Sequence, residues 1–201
     1  PNDYFSPMNK LVRSDLFYSQ PDKDIDIYAL LADYKYNPNA QNEWLAGIKT
    51  SLIKSNNTFL FKRNGTIDLQ RSNKFDYNEH NIEGYTQYTH TWNKLELSAG
   101  LRMEYMYTHN KLNAYTNHKT EENNRNKLRL FPNMSVSYTF NKKNKLALLY
   151  SRRQDKPRYE DLNPFEYLLD ELSYWKGNPF LKPQISNKIT LNYTRKSLSL
   201  N

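Results

Sequence analysis

Cysteine is absent from the 201 residues, which rules out a disulfide framework and any cysteine-ligated metal site. Glycine is scarce, at 5 residues, and no Gly-rich phosphate loop or Ser-His-Asp pattern can be read. Long apolar runs are missing too. The longest, Tyr28–Ala32 (YALLA) with Ile27 before it, falls far short of the roughly 20 residues a membrane helix needs, so a helical membrane protein is excluded. A membrane barrel is not excluded, because its strands are apolar on one face only and hydropathy barely registers them. The chain opens at Pro1 with no charged n-region and no apolar h-region, so no targeting segment is visible. The closing SLSLN reads as a strand cut off as it starts, and we expect a piece of something larger.

Tyrosine is abundant, at 17 residues, and the formal net charge is +8. Such a charge can serve a polyanion partner. The basic clusters, however, lie at expected turns, Asn141–Lys145 (NKKNK) and Arg195–Ser197 (RKS), which favours a solvated surface.

Alternation dominates the middle of the chain. From Lys94 to His109, Leu95, Leu97, Ala99, Leu101, Met103, Tyr105 and Tyr107 share one face without a charge. Lys94, Glu96, Ser98, Gly100, Arg102, Glu104, Met106 and Thr108 share the other, so the period is 2. Leu101 is therefore expected to face lipid, and Ser98 and Gly100 the interior. Trp44–Leu52 and Leu128–Phe140 read the same way. Ile25–Tyr36, Ile82–Trp92, Lys145–Arg153 and Ile185–Thr194 are weaker strands, and the first changes phase at Ile27–Tyr28, where a bulge is expected.

A soluble antiparallel sheet alternates as well, so strand length and connections must discriminate. Lys94–Thr108 holds its pattern over roughly 50 Å at about 3.3 Å per residue, well beyond typical soluble strands. The connections run short (Asn37–Asn42), long (Ser55–Asn81), short (Asn93), long (Asn110–Lys127), short (Asn141–Asn144), long (Gln154–Gln184), short (Arg195–Ser197). Outer-membrane barrels keep short turns at one end and long loops at the other. Trp44, Tyr34, Tyr36, Trp92, Tyr138 and Phe140 lie near the short turns, and Tyr105, Tyr107 and Tyr150 near the long loops, as two interfacial girdles would.

The last long connection holds Tyr159–Pro183 (YEDLNPFEYLLDELSYWKGNPFLKP), with a helix-like core expected at Phe165–Leu172. Pro157, Pro164, Pro179 and Pro183 each fix φ, so this loop is expected to be folded. Asn163 and Asn178 precede prolines and should start turns.

These residues carry a resemblance. Leu148–Thr194 resembles the outer-membrane β-barrel family related to TonB-dependent receptors of Gram-negative bacteria. The resemblance rests on Tyr150–Arg153 (YSRR), Leu162–Phe165 (LNPF), Gly177–Pro179 (GNP) and Leu181–Pro183 (LKP), in that order. Lys156-Pro157-Arg158 stands where that family more often has Arg-Pro. Weaker echoes are Ala32–Asn37, Ser72–Tyr85, Ala99–Tyr105 and Leu130–Tyr138.

The resemblance implies an all-β fold: an antiparallel transmembrane β-barrel segment of seven to eight strands from a barrel of about 22. Residues 1–201 would be one partial barrel domain, with 1–23 a lead-in loop or strand and 154–184 a long structured external loop. As a fragment it should be an open sheet that aggregates or needs detergent, since its edges are unpaired and its apolar face is bare. The resemblance further implies the cell outer membrane and ligand uptake energised through a plug domain and a TonB-type complex, supplied by missing parts of the chain. Its partners would be outer-membrane lipid and an unknown ligand, with no nucleic acid.

Enzymatic activity is not expected, and neither are catalytic residues, cofactors or metals. His80, His90, His109 and His118 show no ligand spacing. Asp155, Glu160, Asp161, Asp170 and Glu171 cluster in the long loop, where solvation is the simpler reading than catalysis or cation binding. No ligand-binding residue can be assigned. Two alternatives stay open: a non-transporting envelope barrel acting as scaffold or adhesin, and a soluble basic β-protein binding nucleic acid or acidic glycan.

Overall fold

The computed structural model describes residues 2–116, 120–168, 173–195 and 198–200. A hairpin of β1 (Asn2–Phe5) and β2 (Leu11–Asp15) leads into β3 (Phe17–Asn39) and β4 (Asn42–Arg63), followed by the short β5 (Thr66–Ile67). Then come β6 (Asn73–Trp92), β7 (Leu95–Ala114), β8 (Thr120–Asn141) and β9 (Asn144–Asp155). The next excursion holds α1 (Tyr159–Leu162), β10 (Glu166–Leu168) and β11 (Tyr174–Lys176), before β12 (Gln184–Arg195) and β13 (Leu198–Leu200). The long strands form one antiparallel meander in the order β13-β12-β9-β8-β7-β6-β4-β3, with β5 on β4. The sheet is open, with β3 and β13 at its edges.

The two faces differ in chemistry. Leu101, Met103, Tyr105, Leu128, Leu130, Met134, Ile48, Leu30 and Ile189 lie exposed on one side. Glu79, Glu83, Glu104, Thr108, Asn110 and Ser137 lie buried on the other. The apolar side is thus the outer face, and the polar side the inner.

Register locates where the apolar band ends. On the outer face Leu30, Thr50, Ile82, Tyr105 and Leu128 lie in one row, and Tyr28, Leu52, His80, Tyr107 and Asn126 in the next. One step further the row is Asp26, Lys54, Asn78, His109 and Asn124, and the band is over. This corrects the expected bulge at Ile27–Tyr28. The β3–β4 register runs unbroken from Phe17 to Tyr36, and shifts only between Tyr36 and Asn39. The apparent phase change is the edge of the apolar band: above Tyr28 the outer residues become Asp26, Asp24 and Asp22, while Ile27 faces Ile53 on the inner side.

Two of the expected long loops are mostly strand. Ser55–Asn81 continues as β4 to Arg63 and resumes as β6 at Asn73, and Asn110–Lys127 is largely β7 and β8. Above the apolar band the outer face turns polar and the inner face mixes Ser55 and Asn57 with Phe59 and Phe61, so the period-2 signal fades although the ladder continues. Gln154–Gln184 alone of the three is an extended excursion. Its expected helix at Phe165–Leu172 is also corrected: Glu166–Leu168 pairs with Tyr174–Lys176 as a hairpin, and residues 169–172 lie outside the described residues. The helical turn sits earlier, at Tyr159–Leu162.

The short turns follow local chemistry. Asn93 adopts φ 45° between Trp92 and Leu95. Asn141 Oδ1 accepts from the N–H of Lys143 (2.9 Å) and of Asn144 (3.0 Å), an Asx turn. The turns are also staggered: Asn42 at the first faces His90, yet Trp92 reaches the second, where Leu95 faces Tyr138 and Asn141 reaches the third. Such a progressive offset is the shear that tilts strands in a barrel wall.

Pro132 explains how the long loop is launched. Proline has no N–H to give a ladder and is poorly tolerated between two partners. β8 pairs with β7 on both sides of Pro132, but its pairing with β9 begins at the next residue, Asn133 opposite Ser151. Beyond Ser151, β9 stays with β12 alone, and Gln154 and Lys156 reach the inner face.

Candidate ligand cavity under the external loop

The inner face of β4 and β6 presents Phe59, Phe61, Phe75 and Tyr77 above the apolar band. Bare aromatic surface there must be covered, and the loop covers it with Leu162 and Phe165. Phe165 is 1% exposed, and its ring lies 5.3 Å from that of Phe59. Tyr159 meets Tyr77 edge-on at 5.6 Å. Burial, with the Glu79 carboxylate nearby, pushes the Tyr159 phenol up to about 12, so it stays neutral.

The motif residues fold the loop onto itself. Asn163 Oδ1 accepts from Phe165 N–H (3.2 Å), and Asn178 Oδ1 from Phe180 N–H (2.8 Å), so both Asn-Pro steps are Asx turns as expected. Asn178 N–H donates to Asp161 C=O at 2.7 Å, joining the two motifs. A β-carbon on Gly177 would run into the carbonyls of Asp161 and Asn163, so glycine permits this approach.

Ion pairs fix the loop to the wall. Lys156 Nζ lies 2.9 Å from Glu79 and 3.5 Å from Glu104, both carboxylates almost fully buried. Glu104 opposes Glu83 in register, a like-charge pair that alone would be destabilising. Arg102 relieves Glu83 at 3.1 Å, while Gln154 and Lys156 attend Glu104. Arg125 holds the returning limb, donating to Leu181 C=O at 3.1 Å with its guanidinium 5.6 Å from the Phe180 ring.

Between loop and wall lies a cavity of about 300 Å³. Met106, Asn110, Lys127 and Arg129 line it from the strands, and Pro157, Tyr159, Pro179 and Lys182 from the loop. This falls at the small end of ligand pockets, which run from about 300 Å³ upward.

The side chains singled out in the sequence do not gather here. Glu160 pairs with Lys23 at 3.3 Å. Asp161 takes two hydrogen bonds of 3.1 Å from Arg158, which holds its carboxyl below the usual range. Asp155 sits in the ladder opposite Gln184, and Asp170 and Glu171 lie outside the described residues. His80, His90 and His109 bond to Thr50, Asn42 and Asn124, and His118 lies outside the described residues. Glu79 is hidden because Ser55–Asn81 reads as a loop, while Glu83, Glu104 and Arg129 fall on expected strands but carry no local sign of what they meet across the sheet. Continuing the alternation of β6 backwards, Tyr85, Glu83, Asn81, Glu79, Tyr77, would have exposed the wall.

The family model described as the outer membrane protein beta-barrel family matches residues 1–201, the whole chain. The chain belongs to that family. The outer face of this barrel segment therefore lies against lipid of the outer membrane. Among solved structures the segment is similar to the ferric yersiniabactin uptake receptor FyuA from Yersinia pestis. The TM-score is 0.56 at 10% identity, covering 92% of this chain and 27% of that one. The likeness is one of fold, and the segment spans about a quarter of that receptor's length. No curated protein matches the chain.

Proposed function

We propose that the segment is part of the barrel of a TonB-dependent receptor, a transporter that takes up a ligand across the outer membrane. The plug domain and the contact with a TonB-type inner-membrane complex would come from other parts of the full-length protein. The observation that carries this reading is the folded loop that returns to the inner wall and roofs a cavity there. A rigid loop over a selective inner surface is what a ligand arriving from outside needs, and a passive scaffold has no use for it. The reading assigns no bond-making chemistry to the segment. Its function would be positioning and recognition, with no enzymatic step.

The test is capture of the TonB periplasmic domain by the full-length gene product purified in detergent. Saturable binding supports uptake. Absence of binding contradicts it and leaves the non-transporting envelope barrel, a scaffold or adhesin.

A further inference from the structure

A second cavity, of about 390 Å³, shares Tyr159 with the first and lies between the loop and the edge of the sheet. Pro21 and Lys23 line it from β3, Ser55 and Asn57 from β4, Glu160 beside Tyr159 from α1, and Trp175 from β11. The two cavities differ in charge. The first gathers Arg125, Lys127, Arg129, Lys156 and Lys182 around one carboxylate, Glu79. The second has one ionic group of each sign, Lys23 and Glu160, 3.3 Å apart. A ligand here needs no net charge of its own.

Ser55 and Asn57 are buried, and Asn57 Nδ2 donates to Ser55 Oγ at 3.0 Å and to Phe75 C=O at 3.3 Å. Polar recognition therefore falls to Lys23 and Glu160, whose side chains keep 39% and 62% of their surface in solvent. An ion pair this exposed adds little to the docking of the loop. The Trp175 indole is 40% exposed and stands outside the aromatic core that seats the loop. We propose that this cavity is a subsite for a neutral sugar ring. The apolar C–H face of a pyranose lies against the indole, with Tyr159 and Pro21 beside it. One ring hydroxyl donates to the Glu160 carboxylate and its neighbour accepts from Lys23 Nζ. Neighbouring hydroxyl oxygens on a sugar ring are spaced about like two hydrogen-bonded atoms, and the 3.3 Å between Nζ and Oε1 suits such a pair. A simple ion would answer only half of the pair, and an apolar ligand would leave both halves desolvated without a partner. A volume of about 390 Å³ admits one ring, and the rest of an oligosaccharide would run out over the exposed lip.

This inference deepens the uptake reading by naming a ligand class, and rests on that reading only for the passage of the sugar after it has bound. The test is calorimetric titration of the full-length protein in amine-oxide micelles, since glycoside detergents would compete. The probes are neutral tetrasaccharides of glucose, mannose, galactose or xylose, in α and β linkage, with tetragalacturonate as the acidic control. At least one neutral probe should bind, and more tightly than tetragalacturonate. Trp175→Ala and Glu160→Gln should each weaken that probe roughly tenfold or more, the scale of one aromatic face or one hydrogen bond to a charged group. Neither should undock the loop, because both side chains stand outside the core that seats it. Protease resistance of residues 156–183 thus separates lost binding from lost folding. Binding of none of the neutral probes, a preference for tetragalacturonate, or a neutral probe untouched by both variants would overturn the subsite. Failure here beside intact TonB capture sinks this inference alone. Sugar binding without TonB capture sinks uptake and keeps the subsite.

Discussion

Tyr85 lies across Gly47 and donates its phenol O–H to Asp33 on the strand beyond. Asp33, Gly47 and Tyr85 share one inner-face row, which continues through Arg102 to Phe131, where the Arg102 guanidinium sits 4.6 Å from the ring centroid. A β-carbon on Gly47 would fall 2.5 Å from both the Tyr85 ring and Asp33 Oδ1. The glycine is there for space.

Gly47→Val should therefore destabilise the full-length barrel by about 1–3 kcal/mol, the usual cost of overpacking. Tyr85→Phe should cost about 1 kcal/mol, one hydrogen bond. In the double variant Tyr85→Ala with Gly47→Val the valine penalty should shrink, because the ring is gone and only the Asp33 carboxylate still crowds the site. A urea titration of folding into lipid vesicles reads all three.

Docking of the external loop should depend on Phe165 and Gly177 rather than on the loop's charges. Phe165→Ala removes the ring that caps Phe59, a truncation worth about 3–5 kcal/mol at a buried site. Gly177→Ala blocks the approach to Asp161 and Asn163. Both should make the segment 156–183 cleavable by added protease while the barrel keeps its heat-dependent mobility on SDS gels. Glu160→Gln, which loses only the exposed pair with Lys23, should leave it resistant.

The leading hairpin should be released by acid. Asp15 is nearly buried between Arg63 (2.6 Å), Arg13 (2.5 Å) and Asn64 (3.1 Å). Arg63 foremost, then Asn64 and Arg13, hold its carboxyl below the ordinary 3.8. A lowered folded value stabilises the docked hairpin above the ordinary value, and this is lost as pH falls through the lowered one. Hydrogen exchange in residues 2–15 should rise below about pH 3.8 and be fast at all pH values in Asp15→Asn.

Topology should follow the turns. Cysteine at Leu69, Tyr115 or Phe180, on the long-connection rim, should react with an impermeant thiol reagent on intact cells. Cysteine at Lys142 in the Asn141–Asn144 turn should not. Labelling of the Lys142 position with silence at the other three would invert the orientation.

What could be read from the sequence divides along the edge of the apolar band. Within it, one face meets lipid and the other a polar interior, so Leu95–Tyr107 and Met134–Phe140 alternate cleanly and their strands are found where expected. Above it, the outer face meets water and the inner face mixes polar with aromatic residues, and Asn56, Lys62, Asp76 and Asn124 hide the ladder that carries the cavity wall. One local signal there was readable: Asn64-Gly65, with φ 51° and 81°, is a type I′ hairpin pair that marks the top of β4. The roles of Phe165 and Gly177 could not be read, because Phe59 is brought to the first only by the completed sheet, and Asp161 and Asn163 to the second only by the folded loop. Ser98 and Gly100 show the same limit. Both face inward as expected, but Ser98 takes a hydrogen bond from Thr89 and Gly100 is covered by Asn133, so neither is open space.

The central claim is that the face bearing Leu101 lies in lipid, and one comparison tests it most directly. Leu101→Arg and Gln87→Arg place the same charge at nearly the same height, since Gln87 sits opposite Gly100, but on the outer and inner faces respectively. In the full-length protein folded into phospholipid vesicles, Leu101→Arg should cost about 2–4 kcal/mol. Gln87→Arg, facing the open inner groove, should cost less than about 1 kcal/mol. Equal costs at the two positions, or a larger cost at Gln87, would contradict the account.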